Sequence, residues 1–410
     1  MTRDTQPSAP NVHIDSHSPI DIAKSLYPLL MEQADQSEQS GQISPKLFKS
    51  LHDSGLFQMM FPKRAGGVGR ELIEHIETVA ELAQGDPGSA WAFGLLSSVT
   101  ASTASLPSDV TSRVFKQGTE LLCSVAARTG TATLTDDGFI VNGSWGYASG
   151  CKHASWAMNG VTIQDPTGSV IDYGFAIMPL SGDPAVTIKD TWHVAGVCAS
   201  GSNTIVADGL KLDAPLVLQF SKLRQGQSDD PALLAQLEPR DKWPVEPLFP
   251  LTVLAPMLGA AQGLLKLVQT AMPKRKIIGW HYDNQADADA LVEKLGQAAL
   301  KIDSAWMHVR RAANLVDHES PRRSLSGFEK AQMQADCSHA MALVRQSAQS
   351  LMDIAGPGGF ATSNPMQRLW RDINVGSRHN ALNSHLSHLL YGRALLGDSS
   401  NLELLNDISR

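Results

Sequence analysis

The chain has 410 residues, with 34 Lys and Arg against 41 Asp and Glu, for a formal net charge of −7. That balance offers no long-range attraction to a phosphate backbone, and no basic stripe is interleaved with aromatics, so nucleic acid is not expected as a partner. Hydrophobic residues make up 42% and aromatics 6%, values that exclude collagenous, coiled-coil and low-complexity classes and allow a large core.

At about 150 residues per domain, the length suits two or three domains. Residues 1–19 are polar and rich in Pro and Ser without an apolar h-region, which predicts a flexible tail and neither a signal peptide nor an anchor. No apolar run approaches the roughly 20 residues that span a bilayer. The stretch Leu251 to Leu265 is interrupted by Gly and Gln, and no membrane association is expected. Cys123, Cys151, Cys198 and Cys337 are scattered without a C-x-x-C pair. They read as reduced thiols of a cytoplasmic protein, not as zinc ligands.

Residues 20–120 carry a helical period. Ile22, Leu26, Leu29 and Leu30 recur at threes and fours, and Ser44-Pro45 supplies an N-cap and an N1 proline for a helix ending at Gly55. Glu71 to Gln84 repeats the signal, and Gly85-Asp86-Pro87-Gly88 opens another helix through Trp91. Residues 121–220 change texture. Short β-branched runs such as Phe139-Ile140-Val141 and Thr204-Ile205-Val206 alternate with Asp137-Gly138, Asn142-Gly143 and Asp208-Gly209 turns, which predicts a compact antiparallel barrel or sandwich. A polar linker is expected over 221–244. From 245 to 410 the period is helical again, with long helices predicted near Phe249–Met272, Ala286–Asp317, Gly327–Ile354 and Pro365–Leu396, a four-helix bundle.

Three segments carry possible chemistry. The run from Gly143 to Trp156 places Trp145, Tyr147, Ser149 and Gly150 together. Its small residues would let the main chain approach a planar ligand with polar edges, although a tight turn with core aromatics explains it equally well. The run from Asp190 to Thr204 holds Gly196, Gly201 and the hydroxyls of Ser200, Ser202 and Thr204. It suits a ligand-contacting loop or a long β-connection, and matches neither a P-loop nor G-x-G-x-x-G. The run from Leu369 to Asn383 offers His379 for acid–base work, or as a buried structural imidazole. On one continuous helix His385 would lie about 120° from His379, with His388 on the opposite side, so no metal site is expected. No G-x-S-x-G elbow is present.

Taken in order, these segments resemble the flavin-dependent monooxygenases of the acyl-CoA dehydrogenase fold, the oxygenase components of two-component (group D) systems. The resemblance spans nearly the whole chain. It rests on Phe61-Pro62-Lys63 with Gly66-Gly67, Asp86 to Trp91, Trp145 to Trp156, Thr191 to Thr204, Gly356 to Phe360, Trp370-Arg371-Asp372 with His379, and Tyr391 to Gly397. It implies an N-terminal helical domain, a middle β-domain and a C-terminal four-helix bundle. It also implies reduced flavin (FMNH2 or FADH2) as a diffusible co-substrate from a separate NAD(P)H:flavin reductase, and a homotetramer. By the same resemblance, O2 forms a C4a-hydroperoxyflavin that hydroxylates a small phenol- or indole-type substrate.

The resemblance further assigns Tyr147, Ala148 and Ser149 beside the flavin ring, with Ser149 near N5. Thr129, Gly130 and Thr131 fall near the pyrimidine end, and Ser200, Gly201 and Ser202 line the site. Arg275, Gly358 and Gly359 would reach the tail of the cofactor from a neighbouring subunit. Trp91, His379 and Asn383 would meet the substrate, with His379 hydrogen-bonding or deprotonating it. A tightly FAD-bound acyl-CoA dehydrogenase and an N- or S-oxygenase of the same fold are the alternatives. The stretch from Ile373 to Leu396 holds no acid, whereas many dehydrogenases carry their carboxylate base there. Two departures from the pattern stand out: Ala199-Ser200-Gly201-Ser202 replaces a more usual Gly-Thr-Gly-Ser, and Ser102 and Thr103 replace the substrate-binding His of some phenol hydroxylases.

Overall fold

The computed structural model describes residues 18–221 and 237–398. Most of the predicted tail and linker lie outside these residues. Six helices come first: α1 (Pro19–Ser25), α2 (Tyr27–Ser40), α3 (Pro45–Asp53), α4 (Leu72–Ala83), α5 (Pro87–Ala104) and α6 (Ser108–Val114). Seven strands follow: β1 (Leu122–Thr135), β2 (Gly138–Ala148), β3 (Trp156–Gln164), β4 (Val170–Pro179), β5 (Val186–Lys189), β6 (Asn203–Leu212) and β7 (Val217–Gln219). Five helices close the described chain: α7 (Val245–Ala271), α8 (Asp289–Asn314), α9 (Gly327–Ala355), α10 (Pro365–Gly376) and α11 (Ser384–Leu395).

Where an antiparallel barrel or sandwich was expected, the strands form one seven-stranded sheet in the order β5-β6-β2-β1-β3-β4-β7. One neighbouring pair, β1 and β3, runs parallel, and β1 bulges between Val125 and Gly130. Strand texture reveals neither partner nor direction, because alternation reports only which face is buried. The centre of the sheet is organised by Trp145, which is fully buried and donates its indole N–H to Gly160 O at 2.8 Å. Gly130 and Gly143 make its slot: a Cβ on either would stand 2.1 or 2.6 Å from the indole.

Helix α5 is buried on nearly every side, which fits its even apolar composition and its place between α4, α7 and the sheet. Asp86 caps it through Ser89 N at 3.2 Å and Ser89 Oγ at 2.6 Å, with Pro87 at the first turn. Thr100 of α5 then accepts Leu122 N at 2.9 Å, which ties the helix to the start of β1.

Helix α7 is long and apolar enough by composition to cross a membrane, but its apolar window is 78% buried inside the protein. It is a core helix. Gly259 and Gly263 let it lie directly on α4: a Cβ at Gly259 would stand 1.9 Å from Ala80 O, and one at Gly263 2.5 Å from Gln84 O. The buried carboxyl of Asp317 caps α4 from the far end of the chain, accepting from Leu72 N at 2.8 Å and Ile73 N at 3.0 Å.

The helix predicted over 365–396 is two helices, α10 and α11. Between them His379 Nδ1 accepts Ala381 N at 3.2 Å, and Asn383 Oδ1 accepts His385 N at 3.1 Å and Leu386 N at 3.2 Å. These polar side chains capture amide groups that a continuous helix would bond to its own carbonyls, so the helix stops and restarts. The angular argument about His379, His385 and His388 therefore lacks its premise, since His379 lies in the break. His388 instead has its ring 5.7 Å from that of His339.

Candidate active site

Three parts of the chain meet around the indole of Trp91, which the cap at Asp86 and the first turns of α5 carry to the seam between sheet and helices. The Trp91 indole N–H donates to Ser149 Oγ at 3.2 Å. On its other side, the Trp91 ring lies 6.0 Å from the imidazole of His379, and Phe249 packs edge-on against that imidazole at 5.1 Å. Gly376 permits this approach. A Cβ there would stand 2.5 Å from Met257 Sδ and 3.1 Å from the Trp91 ring.

Ser149 sits just past β2, where Tyr147 adopts φ 63°. A bulky residue in the left-handed region is strained and needs surrounding structure to hold it. Tyr147 points outward, 77% exposed, with Trp192 edge-on at 5.7 Å. Ser149 Oγ lies 2.7 Å from Ser202 Oγ, and Ser202 Oγ lies 2.8 Å from Ser200 Oγ.

Three hydroxyls bring three protons to these two contacts, so one proton is left over. Ser149 is the most exposed of the three, at 8% against 1% for Ser200 and 3% for Ser202. Ser149 accepts from Trp91 and shares a hydrogen bond with Ser202, which leaves its hydroxyl one further hydrogen-bonding position for a ligand.

His379 is half-buried, and burial lowers its pKa from the ordinary imidazole value. Because Nδ1 accepts the Ala381 amide, the proton of the neutral ring resides on Nε2. The ring presented to the site is a hydrogen-bond donor. The loop from Thr191 to Ser202 is held by polar contacts on both sides. Asn203 Oδ1 accepts Thr191 N at 2.9 Å and Trp192 N at 3.1 Å, and Asp372 Oδ1 accepts Val197 N at 2.6 Å. Asp372 is fully enclosed, and burial, reinforced by nearby Asp86 and Glu38, raises its pKa to about 7.

The other expected site residues lie further out. Thr129 is exposed at the β1 bulge, its hydroxyl donating to Ser144 O at 2.7 Å; Gly130 is buried against Trp145, and Thr131 pairs with Asn142. Ala148 is buried opposite Asn203, and Gly201 takes φ 54° with its backbone close to Gly41 O. Arg275 donates to Ala355 O at the end of α9, and Gly358 O accepts Asn364 Nδ2 at 2.9 Å. Gly359 lies against Ala355. These last residues gather at one end of the helical bundle; among the described contacts none joins them to Ser149, Trp91 or His379. Asn383 uses its amide oxygen to cap α11. Phe249 was not foreseen in the sequence. Its only signal was a position near the start of an apolar helix.

A flavin is a flat ring with hydrogen-bonding edges, and the groups present fit one. The exposed Tyr147 and the half-buried Trp192 stand beside a hydroxyl with one open hydrogen-bonding position. Behind that hydroxyl is a wall of Trp91, Phe249 and His379. The thiols nearby are not competing nucleophiles: burial raises Cys151 and Cys198 to about 11.

Residues 25–106 match the family model described as the acyl-CoA dehydrogenase N-terminal domain, and residues 251–384 match that of the acyl-CoA dehydrogenase C-terminal domain. The oxygenase subunit of a flavin-dependent monooxygenase from Rhodococcus jostii is 26% identical over 379 residues, 91% of this chain and 96% of that protein. The oxygenase component of an FADH2-dependent resorcinol hydroxylase from a Rhizobium species is 27% identical, covering 90% of this chain and 91% of that one. The solved structure of XiaF from a Streptomyces species, in complex with FADH2 and glycerol, superposes with a TM-score of 0.86 at 28% identity. It covers 92% of this chain and 95% of its own. The chain belongs to the acyl-CoA dehydrogenase family, and these relatives are oxygenase components of flavin-dependent monooxygenases.

Proposed function

We propose that the protein hydroxylates a small phenol- or indole-type aromatic, using O2 and reduced flavin delivered by a separate NAD(P)H:flavin reductase. The observation that carries this reading is the position of Trp91, in contact with Ser149 on one side and His379 on the other. One short bridge thus links a hydroxyl suited to a flavin edge with an imidazole suited to a substrate.

Reduced flavin, when bound, supplies the activation of dioxygen and the oxygen atom transferred; the protein binds, orients and keeps water away. Tyr147, Ala148, Ser149 and the Ser200-Gly201-Ser202 loop would hold the ring, with the Ser149 hydroxyl at N5. Thr129, Gly130 and Thr131 would serve the pyrimidine end. Arg275, Gly358 and Gly359 would serve the tail from a second copy, consistent with their separation from Ser149 within one chain. Exposed apolar residues on α8 (Leu300, Met307) and α11 (Leu386, Leu389) support assembly into a homotetramer. Four thiols without a disulfide are consistent with a cytoplasmic protein.

His379 donates from Nε2 to a substrate oxygen. A donor there stabilises a phenolate or orients a phenol, whereas the capped Nδ1 is not available to take a proton. The acyl-CoA dehydrogenase alternative lacks a base in this region: the carboxylate of Asp372 is engaged by the Val197 amide.

Anaerobic titration with reduced FAD and reduced FMN, then mixing with labelled oxygen and a panel of phenols and indoles, tests the reading. Binding of reduced flavin and one labelled oxygen atom in the product are expected. A chain that binds neither reduced flavin, or that oxidises acyl thioesters without oxygen, overturns it.

A further inference from the structure

The loop that carries Ser200 and Ser202 contains a strained residue. Val197 sits at φ 49°, in the left-handed region that β-branched side chains rarely adopt. Such a conformation persists only where neighbouring contacts over-determine it. Here the Val197 N–H donates to Asp372 Oδ1 at 2.6 Å, and the Val197 carbonyl accepts the Trp192 indole N–H at 3.2 Å. Just upstream, Ala195 O accepts from Arg371 Nη1 at 2.5 Å. Gly196 lies so close to α10 that a Cβ would stand 2.6 Å from Arg371 O and 3.0 Å from Asp372 N. From Val197 the chain enters the short turn Cys198–Ser200 and delivers the Ser200 and Ser202 hydroxyls to Ser149.

The contact crosses the seam between the C-terminal helices and the sheet domain. Asp372 is 3% exposed, and Arg371 beside it is paired with Glu38 at 2.8 Å. A buried carboxyl in this setting is a directional acceptor for one amide, not a solvated surface charge.

We propose that Asp372 is a positioning residue for the reduced-flavin site, holding Val197 in its left-handed turn from across the seam and thereby setting Ser202 against Ser149. This rests on the reading of that site as flavin-binding. Asp372 touches neither flavin nor substrate; it acts through the loop. The amide group of Asn retains the accepting oxygen, so Asp372→Asn keeps the clamp and Asp372→Ala removes it. Glycine adopts φ near 50° without strain, so Val197→Gly makes the clamp dispensable.

Two measurements test this. Amide hydrogen exchange over residues 194–202, on the flavin-free chain, is expected to speed at least tenfold in Asp372→Ala and less than threefold in Asp372→Asn. Anaerobic fluorescence titration with reduced FAD and reduced FMN is expected to show binding weakened at least tenfold in Asp372→Ala. The ratio of peroxide to product at saturating flavin should rise in Asp372→Ala, because Ser202 no longer holds Ser149. Asp372→Asn and the double variant Asp372→Ala/Val197→Gly are expected to bind within threefold of the wild type. Should Asp372→Ala alone fail to fold, the comparison moves to the Val197→Gly background, where adding Asp372→Ala must change flavin binding less than threefold. Unchanged flavin binding in Asp372→Ala, or no recovery in the double variant, overturns the proposal. Failure of the wild-type chain to bind either reduced flavin appears in the first titration and overturns the functional reading as well.

Discussion

The indole N–H of Trp91, on the helix that Asp86 caps, donates to the hydroxyl of Ser149 at the end of β2 across 3.2 Å. The bond occupies one lone pair of Ser149 and, with Ser202 at a second position, leaves one hydrogen-bonding position of the hydroxyl for a ligand. Trp91→Phe keeps the ring but removes the donor. Losing one neutral hydrogen bond costs about 1 kcal/mol of stability, so the variant should fold. Its peroxide yield should rise at the expense of hydroxylated product, and Ser149→Ala should shift the same ratio further. A ratio of peroxide to product unchanged in both variants removes Ser149 from the flavin edge.

His379 has two separable tasks, capping the turn at Ala381 through Nδ1 and donating from Nε2. Asn substitutes for the first task with its side-chain oxygen, as Asn383 does four residues later, but does not reach as far for the second. His379→Asn is therefore expected to melt near the wild type, whereas His379→Ala loses about 1 kcal/mol, the typical loss of a cap. Both should lower product yield while flavin oxidation continues. Thermal melts beside product assays separate the tasks, and full yield in either variant makes the imidazole structural.

Gly376 and Gly259 are close-approach glycines with different neighbours. At Gly376 an added methyl meets the flexible side chain of Met257 and the rim of Trp91. Gly376→Ala should cost about 1–3 kcal/mol as an overpacked site and should also raise peroxide leakage by displacing Trp91. At Gly259 the methyl meets the backbone of Ala80, which does not yield. Gly259→Ala is expected to be the more destabilising of the two by denaturant melts. The reverse order contradicts this packing.

Burial sets two histidines against two aspartates in the pH dependence of stability between about pH 4 and 7. His75 and His153 are lowered from 6.5 to about 4, chiefly by burial. The unfolded chain thus binds more protons below pH 6.5, and stability is lost as pH falls toward 4, on the order of 3 kcal/mol for each ring. Burial raises Asp317 to about 6 and Asp372 to about 7 from 3.8. For these acids the native state holds the extra proton above pH 3.8, so their contribution is full below 3.8 and is lost progressively up to about pH 6 for Asp317 and 7 for Asp372, offsetting the gain from the two histidines. Asp317→Asn should make stability rise more steeply from pH 4 to 6, and His75→Gln should make it fall over the same range, read from urea melts at pH 4, 5, 6.5 and 8.

Much of the architecture was legible along the chain because it rests on local rules. Ser44-Pro45 and Asp86-Pro87 announce helix starts through groups that satisfy free amides, and the β-branched runs of 121–220 announce strands. The two ends of the site, Ser149 and His379, could be singled out from motif context. The helix break after Gly376 was not legible, since Ser377 to Asn383 reads as helical until the side chains of His379 and Asn383 are seen to take backbone amides. The parallel pairing of β1 with β3 was equally hidden.

What the sequence alone determined was the order of helical, β and helical parts and the kinds of side chain available for chemistry, because periodicity and capping act between residues a few positions apart. What only the tertiary structure decided was who touches whom. The contacts of Trp91 with Ser149 and of Asp372 with Val197 join residues 58 and 175 positions apart. The meeting of Ser149, Trp91 and His379 at one seam follows from such contacts. Hydrogen bonds have direction only once donor and acceptor share a place, and folding supplies that place.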